Sequence, residues 1–117
     1  MKAIINAKIF LDNEIIKDKV ILFDDQITNV ADEIDLTGIE TIDVNGAYVS
    51  AGFIDMHIHG SGGADVMDAT PDALELISST LLQTGTTSFL ATTMTMSSED
   101  IDKALQNIQL HATKVSG

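Results

Sequence analysis

Two of the chain's three histidines, His57 and His59, lie one residue apart in the segment DMHIHGSGGADVMDAT, residues 55–70. On a β-strand, residues i and i+2 project from the same face, so both imidazoles point the same way. Two imidazoles on one face can bind one cation at the roughly 2.0–2.1 Å of a Zn–N bond. The pair is therefore a candidate metal site. A chance pair of strand histidines, hydrogen-bonded within a core, is the alternative that the spacing leaves open.

The residues around the pair suggest how it is supported. Asp55 alternates in phase with the histidines and lies one pleat deeper on the same face. Its carboxylate could orient an imidazole or fix its tautomer, or it could instead accept backbone N–H groups. After the pair, Gly60, Gly62 and Gly63 belong to a run that matches neither the P-loop nor the dinucleotide-binding fingerprint. We interpret this run as a flexible loop at the mouth of a site.

The elements that must position these residues change in character near residue 51. Residues 1–50 are predicted to be β, because KAIINAKIFL and KVILFDDQITNVA are rich in Ile and Val with partial alternation. From Gly52 onward the order is strand, helix, strand, helix, with Thr70 and Pro71 starting the first helix and Gly85 ending it. Such a βαβ order predicts parallel strands, whose C-terminal ends carry active sites in α/β folds.

The second helix is predicted to begin after a Ser97 cap. Its apolar stripe is expected to comprise Ile101, Ala104, Leu105, Ile108, Ala112 and Val115.

Composition excludes several partners. Eighteen acidic against six basic residues give a net charge of −12, which opposes binding to nucleic acid or to an anionic membrane surface. The chain has no cysteine, which excludes disulfides and cysteine-ligated metal sites and fits a reducing compartment. The amino terminus has no apolar run of signal-peptide length. We therefore expect a cytoplasmic protein that binds neither nucleic acid nor membrane.

Two segments carry a family resemblance. VSAGFIDMHIHGSGGADVMDAT resembles the opening barrel strand of the amidohydrolase superfamily. Together with LLQTGTTSFLATTMT, it is similar to the N-acetylglucosamine-6-phosphate deacetylase family, although Ala91 stands where that family often has proline. The resemblance implies an α/β fold. Residues 1–50 would be the N-terminal part of a small β-sandwich, and residues 51–117 the first two βα units of a metal-dependent (β/α)8 barrel.

The resemblance also implies a chemistry. The parent enzyme would hydrolyse the amide of an amino-sugar phosphate, N-acetylglucosamine 6-phosphate, to glucosamine 6-phosphate and acetate in amino-sugar catabolism. His57 and His59 would be metal ligands for a divalent zinc or iron ion, with one or two ions per full-length subunit. The ion would polarise the acetyl carbonyl, and a carboxylate would relay the proton to the departing amine. The full-length protein is expected to be a homodimer.

The rest of such a site would lie beyond position 117. A complete barrel needs about 250 residues, so we expect these residues to be an N-terminal portion that holds no catalytic residue. Alone, it is expected to be inactive and to bind metal weakly. Another amidohydrolase of the dihydroorotase, hydantoinase or adenine deaminase type is an alternative. A non-catalytic protein that self-associates through exposed strand edges is another, and a small regulatory or ligand-binding domain with coincidental histidines is the third.

Overall fold

The computed structural model describes residues 1–116, which divide into two compact units, Met1–Ala51 and Gly52 onward. The first unit is built from strands alone. They are β1 (Lys2–Ile5), β2 (Lys8–Leu11), β3 (Glu14–Ile16), β4 (Val20–Phe23), β5 (Ile27–Ala31), β6 (Glu40–Asp43) and β7 (Tyr48–Val49). The β prediction for this part of the chain is confirmed.

These strands form two sheets, in the orders β5-β4-β1-β6 and β3-β2-β7. The segment KAIINAKIFL, predicted as one β run, is two strands in different sheets. It divides at Asn6, whose φ of 56° is in the left-handed region that asparagine tolerates better than most residues. The Asn6 amide donates to Asp43 Oδ2 at 2.9 Å. Buried Ile9 and Ile21, one from each sheet, belong to one apolar cluster.

The second unit contains the candidate site. Its elements are β8 (Phe53–Ile58), β9 (Gly60–Ser61), β10 (Ala64–Asp65), a 3₁₀ turn (Val66–Asp68), α1 (Pro71–Leu82), β11 (Thr86–Ala91) and α2 (Ser98–His111). Strands β8 and β11 are paired in parallel, which confirms the βαβ prediction. The fold is therefore mixed α/β, with strands in both units.

Local capping chemistry sets the start of each helix. Thr70 Oγ1 accepts the N–H of Ala73 at 3.2 Å, and Ser97 Oγ accepts the N–H of Asp100 at 3.2 Å, as the sequence predicted. Helix α2 departs from its predicted stripe, because it ends at His111. The predicted positions Ala112 and Val115 therefore lie outside the helix, and Leu105 is 50% exposed. The buried face of α2 consists of Ala104 and Asn107.

The core of the second unit lies between the two helices and one face of the β8–β11 pair. Val66, Ile77, Leu81 and Ala104 are its buried members, and Ile77 is fully inaccessible. Ile58 at the end of β8 packs against this cluster. Because side chains alternate along a strand, the residues on either side of Ile58 project away from the helices. Those residues are the two histidines.

Within residues 1–116, the longest helices are too short and too polar to cross a membrane.

Candidate metal centre

The two imidazoles converge through their outer nitrogens. His57 Nε2 and His59 Nε2 lie 3.3 Å apart. The ring centroids are 5.0 Å apart and the ring planes meet at 84°. Two Zn–N bonds of about 2.05 Å at a tetrahedral angle would place their nitrogens about 3.3 Å apart. The pair therefore has the separation required of two ligands to one ion.

A neighbouring backbone carbonyl fixes the tautomer of His59. Its Nδ1 lies 3.0 Å from the carbonyl oxygen of Thr92, which can only accept a hydrogen bond. Nδ1 must therefore carry the proton, which leaves a lone pair on Nε2 in the neutral ring. A metal ion requires that lone pair, and a histidine ligand is commonly oriented through its other nitrogen in this way. Thr92 follows β11, so the neighbouring strand orients the His59 imidazole.

The strand that carries the histidines is irregular at His57. Asp55 is paired with Phe89 and Ile58 with Ala91, so between these pairs β8 has two residues and β11 has one. A strand with an extra residue bends locally, and such shifts often re-aim a side chain beside an active site. His57 itself has no register partner on β11.

Asp55 supports this irregularity. Its Oδ1 accepts the backbone N–H of His57 at 3.0 Å, an Asx-type contact two residues along the chain. Of the two interpretations of Asp55 that the sequence left open, this contact corresponds to the carboxylate that accepts backbone N–H groups. The structure gives it no hydrogen bond to an imidazole within residues 1–116.

The glycine run after the histidines forms a tight hairpin within the predicted loop between β8 and α1. Strands β9 and β10 pair in antiparallel register and turn at Gly62 and Gly63, where φ is 66° and 92°. A Cβ on Gly60 would lie 2.1 Å from the carbonyl oxygen of Ala64, so the two strands approach too closely for any side chain there. The glycines thus allow a tight turn and a close backbone approach instead of providing mobility.

The described residues contain two candidate metal ligands and no complete ligand set. Within residues 1–116, no group of three or more His, Cys, Asp or Glu side chains is placed to hold a metal ion. His57 and His59 are brought together, whereas the sequence did not identify the Thr92 carbonyl as a partner of His59. The available signal was weak: Thr92 lies at the predicted C-terminal end of the second parallel strand, where pocket residues are expected.

Comparison with known proteins gives a consistent pattern. Residues 48–116 match the family described as "Amidohydrolase family". An N-acetylglucosamine-6-phosphate deacetylase of Lysinibacillus sphaericus is 43% identical over 81 residues, which is 69% of this chain and 21% of that protein. The Haemophilus influenzae enzyme of the same name is 35% identical over 115 residues, covering 96% of this chain and 30% of its own length.

Structural comparison extends the likeness to both units. The crystal structure of N-acetylglucosamine-6-phosphate deacetylase from Pasteurella multocida matches with a TM-score of 0.88 and 29% sequence identity. The match covers 99% of this chain and 31% of that one. The chain therefore spans about a fifth to a third of the length of these relatives.

Proposed function

Because this chain belongs to the amidohydrolase family, we propose that it forms the amino-terminal part of a metal-dependent N-acetylglucosamine-6-phosphate deacetylase. The observation that carries the proposal is the 3.3 Å approach of the two Nε2 atoms, together with the Thr92 carbonyl that leaves His59 Nε2 free to coordinate. The relatives named above support the substrate class.

The proposed architecture has two parts. Residues 1–50 are assigned to an incomplete β-sandwich, supported by two sheets that share one apolar cluster. Residues 51–117 are assigned to the first two βα units of a (β/α)8 barrel, supported by the parallel pairing of β8 with β11 and by helices packed on one face of that pair. The histidines then lie at the C-terminal end of the first barrel strand, where barrel enzymes place their sites.

His57 and His59 would hold a divalent ion of the zinc or iron type, one or two per full-length subunit. The chemistry that such an ion supplies is Lewis acidity, which polarises an amide carbonyl and makes water a stronger nucleophile near neutral pH. The role of this chain's residues is to present two imidazole lone pairs at fixed separation. We assign no catalytic acid or base within residues 1–116, and the Asp55 carboxylate beside the pair accepts a backbone N–H.

The proposed reaction converts N-acetylglucosamine 6-phosphate and water to glucosamine 6-phosphate and acetate. The working protein is proposed to be a cytoplasmic homodimer. The 117-residue chain alone is expected to release no acetate, because two imidazoles without further ligands and a proton-transfer group make an incomplete site.

A segment exchange tests the proposal. The matching part of the Haemophilus influenzae deacetylase would be replaced by this chain, and acetate release from N-acetylglucosamine 6-phosphate would be measured with added zinc or iron. We expect the hybrid to turn over and the H57N and H59N hybrids to lose activity. The H111A hybrid is the matched control, because His111 is the remaining histidine and lies at the end of α2. A folded, metal-loaded hybrid without deacetylase activity, or full activity in H57N, would contradict the proposal.

A further inference from the structure

The two histidines converge at a point where their strand is irregular. Side chains at i and i+2 leave a strand in parallel, from Cα atoms about 6.6 Å apart. The Nε2 atoms of His57 and His59 are nevertheless 3.3 Å apart. Rotation of the two side chains can close this distance, and the backbone of β8 is also irregular here, because its register with β11 shifts between Asp55 and Ile58.

A shift of this kind leaves a backbone donor without a ladder partner. Met56 and His57 both lack a register partner on β11, and His57 is the one whose N–H a side chain accepts. His57 is exposed, so water competes for its N–H, and a side-chain acceptor two residues away acts by favouring one local backbone conformation. Asp55 Oδ1 is that acceptor, at 3.0 Å, and it belongs to the last residue before the irregular step.

We propose that Asp55 is a positioning residue that aims His57 through the backbone. By accepting the His57 N–H, it stabilises the displaced conformation of β8 in which the His57 ring turns toward His59. This inference rests on the proposed function of the pair as metal ligands, and it assigns Asp55 no contact with metal or substrate. A backbone-directed role depends on an oxygen at the correct position and not on a negative charge.

Two substitutions separate position from charge. In D55N the amide oxygen can accept the same N–H while the charge is lost, because asparagine makes the same Asx-type contact. In D55E the charge is kept, but the longer side chain moves the oxygen away from the position two residues along the chain. We therefore expect D55N to behave like the original chain and D55E to lose the contact. The same substitutions at Asp102, an exposed residue of α2, control for the change in charge and in length.

Two readouts are needed, and one of them uses no metal. Hydrogen exchange at the His57 amide, followed by NMR in the metal-free protein, reports the Asp55 contact directly. Cobalt(II) titration followed by visible absorption reports ligation by the imidazoles. For D55E we expect exchange at His57 at least tenfold faster and cobalt affinity about 10–100-fold weaker, the usual loss when a supporting group of a metal ligand is removed. For D55N we expect both quantities within about threefold of the original, because the acceptor oxygen is kept.

The outcomes distinguish the positioning role of Asp55 from the proposed metal site. If D55E keeps normal exchange at His57, or if D55N loses cobalt affinity while D55E keeps it, the positioning role is wrong. If the exchange results are as expected but the hybrid deacetylase that carries this chain does not bind cobalt, the positioning role stands and the proposed metal site fails. Circular dichroism and exchange at Ile77, a fully buried residue of α1, verify that each variant is folded.

Discussion

Gly60 offers a test of whether the hairpin beside the histidines is held by close backbone contact. In G60A the added Cβ would lie 2.1 Å from the carbonyl oxygen of Ala64 and 2.8 Å from the Cα of Asp65. Ordinary contact for such atoms begins at about 3.4 Å, so the two hairpin strands would have to separate by about 1 Å. Both neighbours are backbone atoms, which cannot be relieved by a rotamer change.

The magnitude follows from comparison with Gly63. A Cβ at Gly63 would meet nothing within 4 Å, but φ there is 92°, so G63A has only a backbone conformational cost of about 1–2 kcal/mol. Overpacking that moves backbone costs up to about 3 kcal/mol, and we expect G60A at that upper end. With about 4 °C per kcal/mol for a chain of this size, G60A should lower the melting temperature by about 12 °C and G63A by about 4–8 °C.

The assay is thermal unfolding followed by circular dichroism, with cobalt(II) binding as a second measurement. G60A should also weaken cobalt binding, because the N–H of Val66, just after the hairpin, donates to the carbonyl of His59 at 2.7 Å. G63A should leave cobalt binding unchanged. If G63A proves as destabilising as G60A, the steric argument for Gly60 is refuted. The stability of the hairpin would then depend on the backbone conformation of its turn.

Three further predictions concern the rest of the chain. I77A should lower the free energy of unfolding by about 2–5 kcal/mol and I77V by about 1 kcal/mol in urea titrations, because Ile77 is fully buried. N107A should cost about 1–3 kcal/mol in the same assay, because the nearly buried Asn107 amide donates to the Thr70 carbonyl at 3.0 Å. The N–H of Asn45 holds the pKa of Asp43 below its ordinary value of 3.8. This carboxylate therefore stabilises the fold above its unfolded pKa, and that stabilisation is lost as pH falls through the lower folded pKa. In D43N, acid titration of stability should show a smaller loss in that range.

The features predicted correctly from sequence depend on residues close together in the chain. Thr70 with Pro71 and the Ser97 cap define helix starts through contacts that span three residues. The parallel pairing of β8 and β11 was predictable from the strand–helix–strand order. The helix returns the chain to the end of the sheet at which β8 begins, so β11 runs in the same direction as β8. The placement of His57 and His59 on one face of the strand required only strand periodicity.

The features that the sequence did not predict depend on contacts between distant residues. Periodicity cannot show that the chain changes sheets at Asn6. The change depends on pairing with distant strands, β1 with β6 and β2 with β7. The glycine run was interpreted as a flexible loop because glycine permits mobility and close approach alike. Only the position of the Ala64 carbonyl next to Gly60 distinguishes these two uses.

The geometry of the histidine pair shows why spacing alone was insufficient. Two register shifts of opposite sense separate the ends of the β8–β11 pair. The first shift adds a residue, Thr87, on β11. The Thr87 side chain packs so closely over Gly52 that a Cβ on Gly52 would lie 2.2 Å from it. The second adds a residue on β8 beside His57, which restores the register at Ile58.

Because the two shifts cancel, β8 and β11 return to their original register at the ends that carry the histidines and Thr92. The Thr92 N–H can then donate to the Ile58 carbonyl at 2.9 Å, while the Thr92 carbonyl receives His59 Nδ1 at 3.0 Å. With only the first shift, Thr92 would be one residue out of step and its carbonyl would not reach His59. With only the second shift, His57 would be redirected, but the Thr92 carbonyl would not be in place for His59. The tautomer of the His59 imidazole and the direction of the His57 imidazole therefore depend on the same strand pairing, and that pairing requires the absence of a side chain at Gly52.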